Sequence, residues 1–225
     1  MTKSVFVTGT GTDVGKTYVT ALIVKKLAES GIDAGYYKAA LSGADEEDGV
    51  LIPGDAKYVM DTAKITGNPC DCVSYIYKNA YSPHLASIIE GNPVEIDKVK
   101  ADFKRAAEKC NYLTVEGSGG IVCPIRYDKR ILLEDIIKEL NLSTILVADA
   151  GLGTINSVVL THEYMKNRNI KINGIIFNHM TDGDTIMENN IKMVEEMTGV
   201  KVIAKVHKDD AELDIDIDVL KSMYE

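Results

Sequence analysis

The sequence predicts an α/β fold: a doubly wound, mostly parallel sheet with helices on both faces. Two observations carry that prediction. Short apolar runs rich in Val, Ile and Leu alternate with helix-patterned segments along the chain, and strand–helix alternation with short connections is how parallel sheets are built. The runs are also continuously apolar rather than alternating in polarity, as strands covered on both faces must be.

The first strand spans Ser4 to Thr8 around Val5-Phe6-Val7. A helix follows from Lys16 to Ser30 and stops at Gly31, where a left-handed cap belongs. A second strand, Ala34 to Lys38, feeds a polar, Gly-rich connection from Ala39 to Gly54. That connection is too long for a passive turn, and its place after a strand end makes it a candidate substrate loop. Pro53-Gly54 introduces a helix from Asp55 to Thr66, with Asp55 placed to cap it. Helical patterns then run from Pro83 to Glu90, opening on Ser82-Pro83, and from Ile96 to Lys109. Strand Tyr112 to Glu116 leads into Gly117-Ser118-Gly119-Gly120. After it come helix Leu132 to Glu139, strand Thr144 to Asp149, helix Asn156 to Asn167 and strand Ile172 to Asn178. Helix Asp184 to Thr198 is stopped by Gly199, and strand Val200 to Val206 is the last. No linker or repeat divides the chain, so residues 1–225 read as a single domain.

Between the first strand and first helix lies Gly9-Thr10-Gly11-Thr12-Asp13-Val14-Gly15-Lys16-Thr17. Its glycines let the backbone curl until several N–H groups point at one place, which suits a polyphosphate. Lys16 would set an ammonium against the β- and γ-phosphates and Thr17 would offer its hydroxyl to Mg²⁺. The helix starting at Lys16 adds the positive end of its dipole. This makes the predicted fold a P-loop NTPase fold. Five residues rather than four separate Gly9 from Gly15, and Thr10 stands where the strict pattern has glycine.

The formal net charge of −9 excludes a general nucleic-acid binder, which needs basic surface. Acidic residues gather in Asp45-Glu46-Glu47-Asp48 and between Asp209 and Asp218, and both stretches read as solvated faces. No apolar run approaches the ~18 residues of a membrane span. The first residues run straight into a strand and a phosphate loop, without signal-peptide architecture. Cys70, Cys72, Cys110 and Cys123 form no metal-type pair and read as thiols of a cytoplasmic protein. No Ser/His/Asp triad is suggested, and His162, His179 and His207 lack metal-type spacing.

A phosphate loop needs acidic partners for Mg²⁺, usually from neighbouring strand ends. Glu116, a carboxylate followed by four small residues, suits a metal better than a core. Asp55 is the second candidate. Lys38, at the end of the second strand, is on the phosphate-loop edge of the sheet and can neutralise charge developing in phosphoryl transfer. Ser42 follows it by four residues. Asn178 closes its strand with an amide able to pair with a purine edge or to form a turn.

Several segments together resemble the dethiobiotin synthetase family. They are Val7 to Thr17, Gly35-Tyr36-Tyr37-Lys38 with Ser42-Gly43, Gly54-Asp55-Ala56, Ser82-Pro83-His84, Val115 to Gly120, Gly151 to Asn156, and Asn178. They fall in the family's order, and the five-residue gap in the phosphate loop is the family's own. The resemblance implies an ATP-dependent cyclo-ligase of biotin biosynthesis. Its substrate 7,8-diaminononanoate takes up CO₂ as a carbamate, ATP converts this to a carbamic-phosphoric anhydride, and the second amine closes the ring and releases phosphate.

Carried over by residue, Thr17, Asp55 and Glu116 would hold Mg²⁺. Lys16 and Lys38 would stabilise the carbamate and the transferred phosphoryl group, and Thr12 and Ser42 would contact the diamine or carbamate. Asp13, Val14, Gly15, Lys16, Thr17 and Tyr18, with Glu116, Gly117, Ser118 and Gly119, would contact ATP, and Asn178 its base. The resemblance also implies a homodimer with the active site at the interface. There Gly153, Thr154 and Asn156 of the other subunit would receive the substrate's carboxylate tail at a helix start.

Three positions depart from the family pattern. Asp13 stands for the usual Glu, Lys38-Ala39 for Lys-Pro, and Ala204-Lys205-Val206-His207-Lys208 for a Gly-x-Ile-Pro type segment beside the base. Two rival readings compete. Cobyrinate-type amide ligases add a glutamine-hydrolysing domain for which these residues leave no room. Partitioning-type ATPase switches carry a second loop lysine where this chain has Thr10 and Gly11. Many of them also have a membrane-binding tail where this chain's Glu212 to Glu225 is acidic.

Overall fold

In the computed structural model, which describes residues 2–225, the first half of the chain runs β1 (Lys3–Gly9), α1 (Lys16–Glu29), β2 (Ala34–Ser42), β3 (Asp45–Glu47), β4 (Val50–Ile52), α2 (Gly54–Ala63), β5 (Val73–Tyr77), α3 (Pro83–Ile89) and α4 (Ile96–Ala107). There follow β6 (Tyr112–Glu116), β7 (Pro124–Arg126), β8 (Ile131–Leu132), α5 (Leu133–Glu139), β9 (Thr144–Asp149), α6 (Thr154–Asn167), β10 (Ile172–Met180), α7 (Thr185–Thr198), β11 (Val202–His207) and α8 (Ile217–Ser222). Seven strands form one sheet in the order β11-β10-β9-β1-β6-β2-β5. Every pairing in it is parallel. This is the α/β architecture expected.

Side-chain alternation explains why the strands are apolar throughout. Val5 and Val7 of β1 pack with α1, α2 and α8, whereas Phe6 between them turns to the other face and joins Val99 of α4 and Ile136 of α5. Helices α6 and α7 cover the β9–β10 end through Val158 and Val194 against Leu146 and Phe177. Each fully buried side chain of this size contributes about 1.5–3 kcal/mol relative to exposure. Strand β1 is therefore held from both sides, and the loop leaving it has a rigid base.

The Ala39–Gly54 connection differs from expectation. Strand β2 runs on to Ser42, and most of the remainder folds into the β3–β4 ribbon. The turn between these strands is Asp48-Gly49, both at positive φ (50° and 78°). That is the geometry an Asp-Gly two-residue hairpin adopts. The second acidic stretch carries more than the solvated face expected of it. Its carboxylates face solvent, but Leu213 and Ile215 between them are buried and lead into α8. Asp216 caps that helix, accepting from the N–H groups of Asp218 and Val219. Strand β5, absent from the sequence reading, forms the sheet edge beside β2.

Candidate active site

The site forms at the carboxyl ends of β1, β2 and β6, where open α/β sheets bind ligands. The parallel register sets Val7 of β1 and Lys38 of β2 on either side of Glu116. Gly15 is the residue before α1, at φ +83°. A Cβ there would lie 2.0 Å from Asn178 Nδ2, so both the angle and the space demand glycine. Asn178 Nδ2 donates to the Val14 carbonyl (3.1 Å), which ties the loop to the end of β10. The amide oxygen of Asn178 is buried without a hydrogen-bond partner. Lys16 folds back across the loop, its Nζ donating to Gly11 O (2.8 Å). Burial, followed by the charge of Lys38, lowers the Lys16 pKa below the ordinary lysine range.

Glu116, 1% exposed, is the hub. Its Oε1 accepts from Thr17 Oγ1 (2.8 Å) and Lys38 Nζ (2.6 Å), and its Oε2 accepts from Tyr36 OH (2.9 Å). Lys38 Nζ also donates to Asp55 Oδ2 (2.5 Å). Burial pulls the Lys38 pKa down, but Glu116 and Asp55 outweigh it and leave the ammonium favoured. Burial, then the Glu116 charge, raises the Tyr36 phenol well above its ordinary value, so it remains a donor. The capping role open to Asp55 is not taken up. Helix α2 has Pro53 as its cap and no side-chain cap bond, and the Asp55 carboxylate turns to Lys38 instead.

These groups open onto a cleft of about 790 Å³. Thr12, Asp13, Gly15, Lys16, Thr17, Tyr18, Lys38, Ser42, Asp55, Glu116, Gly117, Ser118 and Gly119 all line it, as the sequence led one to expect. Ser42 Oγ is buried and unpartnered, while Ser118 Oγ donates to Ala40 O (2.7 Å). Tyr58, Tyr81 and Cys123 also line the cleft, and sequence reasoning missed them. It missed Tyr36 as well, although its spacing of two from Lys38 puts both on one face of β2.

Val14, Asn178, Gly153, Thr154 and Asn156 do not line the cleft. Gly153, at φ +87°, begins α6, which has no side-chain cap bond. Thr154 Oγ1 is buried without a partner. The preceding turn is held from α7, where Asn190 Nδ2 donates to Ala150 O (2.9 Å) and Gly151 O (3.2 Å). The segment at Ala204–Lys208 is tied down beside the loop. His207 contacts Asp182 and Asp210, and Tyr18 OH donates to Asp210 O (2.6 Å).

Glu116, Asp55 and Thr17 offer hard oxygen donors around one point, bridged by a cationic ammonium, and so fit Mg²⁺. Among the described residues no group of three or more His, Cys, Asp and Glu converges for a metal. Mg²⁺ needs none, since it binds through one or two carboxylates plus phosphate oxygens. Among the same residues no helix is long and apolar enough to cross a membrane.

Residues 3–211 match a family model described as an AAA domain. The chain is 52% identical over 208 residues to an ATP-dependent dethiobiotin synthetase BioD of Brachyspira hyodysenteriae, covering 92% of each chain. It is 50% identical over 226 residues to the protein of that name from Clostridium botulinum, covering 100% of this chain and 99% of the relative. Among solved structures, a MinC:MinD cell division protein complex of Aquifex aeolicus superposes with a TM-score of 0.58 at 12% identity, over 98% of this chain and 86% of that one. A ParA family ATPase from Chlorobium tepidum gives 0.57 at 15% identity, over 99% and 89%. At those identities the likeness is one of α/β fold alone.

Proposed function

This chain belongs to the ATP-dependent dethiobiotin synthetase family, and from that premise we propose how its cleft carries out the reaction. It is an ATP-dependent ligase of biotin biosynthesis acting on small-molecule substrates. The observation that carries the residue assignment is the convergence of Thr17 and Lys38 on the buried Glu116 beside the phosphate loop, with Asp55 held by the same Lys38 ammonium.

The free N–H groups at the start of α1, with Gly15 held at positive φ, cradle the ATP phosphates. Lys16 turns from the Gly11 carbonyl to the β- and γ-phosphates. Thr17, Asp55 and Glu116 would hold Mg²⁺, which supplies charge neutralisation at the phosphate oxygens when bound. CO₂ joins one amine of 7,8-diaminononanoate as a carbamate, oriented by Thr12, Lys38 and Ser42. A carbamate oxygen attacks the γ-phosphorus and ADP departs. The second amine then attacks the carbamoyl carbon, the ring closes and phosphate leaves. Among the described residues no histidine lines the cleft. The reacting groups bring their own nucleophilicity, and the side chains contribute positioning and charge stabilisation.

The working unit is a homodimer. Leu152, in the turn before α6, is 89% accessible, and on the helix Asn156 and Leu160 are exposed at a spacing of four, Leu160 being 63% accessible. Such spacing puts them on one side of the helix. Two exposed leucines beside the helix start at Gly153–Asn156 support its use by the partner's cleft, where it would receive the substrate's carboxylate. Incubation with the diamine, bicarbonate, Mg²⁺ and ATP should yield dethiobiotin by mass spectrometry, with sedimentation reporting a dimer. Phosphate release that ignores the diamine would instead favour a partitioning-type switch, and a monomer with full diamine affinity would remove the shared site.

A further inference from the structure

Glu116 has two carboxylate oxygens with different surroundings. Oε1 faces the phosphate loop and is shared by Thr17 and Lys38. Oε2 faces the interior, where Tyr36 OH donates to it at 2.9 Å. Tyr36 is 3% exposed and packs in the cluster formed by α1, α2 and their face of the sheet. Being two residues before Lys38 on β2, it approaches Glu116 from the same face of the sheet. A carboxylate only 1% exposed takes its orientation from its protein donors.

We propose that Tyr36 is a positioning residue for divalent-cation binding: by holding Oε2 it aims Oε1 of Glu116 at the cation position. The inference rests on the reading that Glu116 is a cation ligand. Thr17 and Lys38 cannot fix the carboxylate during turnover, since the first becomes a ligand itself and the second serves the carbamate. Tyr36 does not line the cleft and is the donor that stays. Partners that orient a metal-binding side chain from behind commonly alter metal affinity by about 10–100-fold when removed.

The test is Mn²⁺ binding to the ADP-bound protein, followed by electron paramagnetic resonance, for wild type, Tyr36→Phe, Glu116→Gln and the double variant. Phenylalanine keeps the ring and its packing. Tyr36→Phe should weaken Mn²⁺ binding by about 10-fold or more. It should also raise the half-saturating Mg²⁺ concentration in turnover more than the KM for the diamine. Added to Glu116→Gln it should cost nothing further, whereas a merely structural role would lower affinity in both backgrounds. Wild-type Mn²⁺ affinity in Tyr36→Phe, with Glu116→Gln impaired, overturns the role of Tyr36 alone. Wild-type affinity in Glu116→Gln overturns the cation reading and the proposal with it. Should Tyr36→Phe fold poorly, 4-fluorophenylalanine at position 36 fills the hydroxyl's place and cannot donate to Glu116. Unchanged Mn²⁺ affinity there overturns the proposal as well.

Discussion

Lys38 is where local chemistry and stability meet. Its ammonium, 5% exposed, neutralises the still more buried Glu116 and also holds Asp55. Removing one partner of a buried ion pair leaves the other charge uncompensated, at about 3–5 kcal/mol. Thr17 and Tyr36 still donate to Glu116, so Lys38→Ala should fall at the low end, near ~3 kcal/mol by denaturant melt. Turnover should drop about 100-fold, the usual scale for a lost electrostatic contact in transfer chemistry. Near-normal turnover would remove Lys38 from the mechanism. Gly15→Ala tests the loop separately. A Cβ there would be 2.0 Å from Asn178 Nδ2 at a φ of +83°, so ATP affinity measured by calorimetry should fall at least tenfold, a penalty of ~1.4 kcal/mol. Lys16, Thr17, Lys38 and Glu116 were legible in the sequence because strand ends and glycine runs announce them. Tyr36 was not, because a tyrosine inside a strand looks like core until its hydroxyl is placed.

At the scale of elements, what the sequence concealed was mostly pattern in the wrong period. The acidic run from Asp209 to Asp218 alternates charge with Leu213 and Ile215, which hid both its buried half and the short helix α8 after it. The Asp48-Gly49 hairpin signal was present, but the flanking Asp45–Glu47 strand is wholly exposed and lacks any apolar pattern. Strand β5 alternates Val73, Tyr75 and Tyr77 inward with Ser74 and Ile76 less buried, as befits an edge rather than a central strand. The turn between β9 and α6 yields its own prediction. Asn190 reaches from α7 to two of its carbonyls, and losing both bonds in a buried setting costs about 1–3 kcal/mol. Asn190→Ala should therefore raise the KM for the diamine several-fold and leave that for ATP near wild type. An equal rise in both would mean the turn does not serve the substrate tail.

Across the whole molecule, the chain end closes on its beginning. Ser4 and Glu225 exchange backbone hydrogen bonds (2.9 and 3.2 Å), and Tyr224 OH meets Thr114 Oγ1 (2.6 Å) on the central sheet. The interior is thus rich in groups that must stay protonated. Burial pushes the thiols of Cys110 and Cys123 up to about 11, in Cys123 against the pull of Lys16 and Lys38. Burial likewise raises the phenols of Tyr37, Tyr77 and Tyr224. Between the ordinary thiol value of 9.0 and about 11, the folded chain keeps protons that the unfolded chain has lost. Stability falls with rising pH wherever the folded state binds more protons. Lys16 works in the opposite direction, because its depressed pKa makes the unfolded state the better proton binder below the ordinary lysine value. The two thiols, the phenols of Tyr36, Tyr37, Tyr77 and Tyr224, and the raised Lys38 outweigh the depressed Lys16 and decide the sign. The melting temperature should be level from pH 7 to about 9 and decline steadily towards 11, each pKa unit of separation being worth ~1.4 kcal/mol per group. Cys110→Ala with Cys123→Ala should flatten the decline below pH 11, even though both truncations lower the plateau. A decline of unchanged steepness in that double variant would assign the alkaline loss to other groups and show that the two thiols ionise at ordinary values.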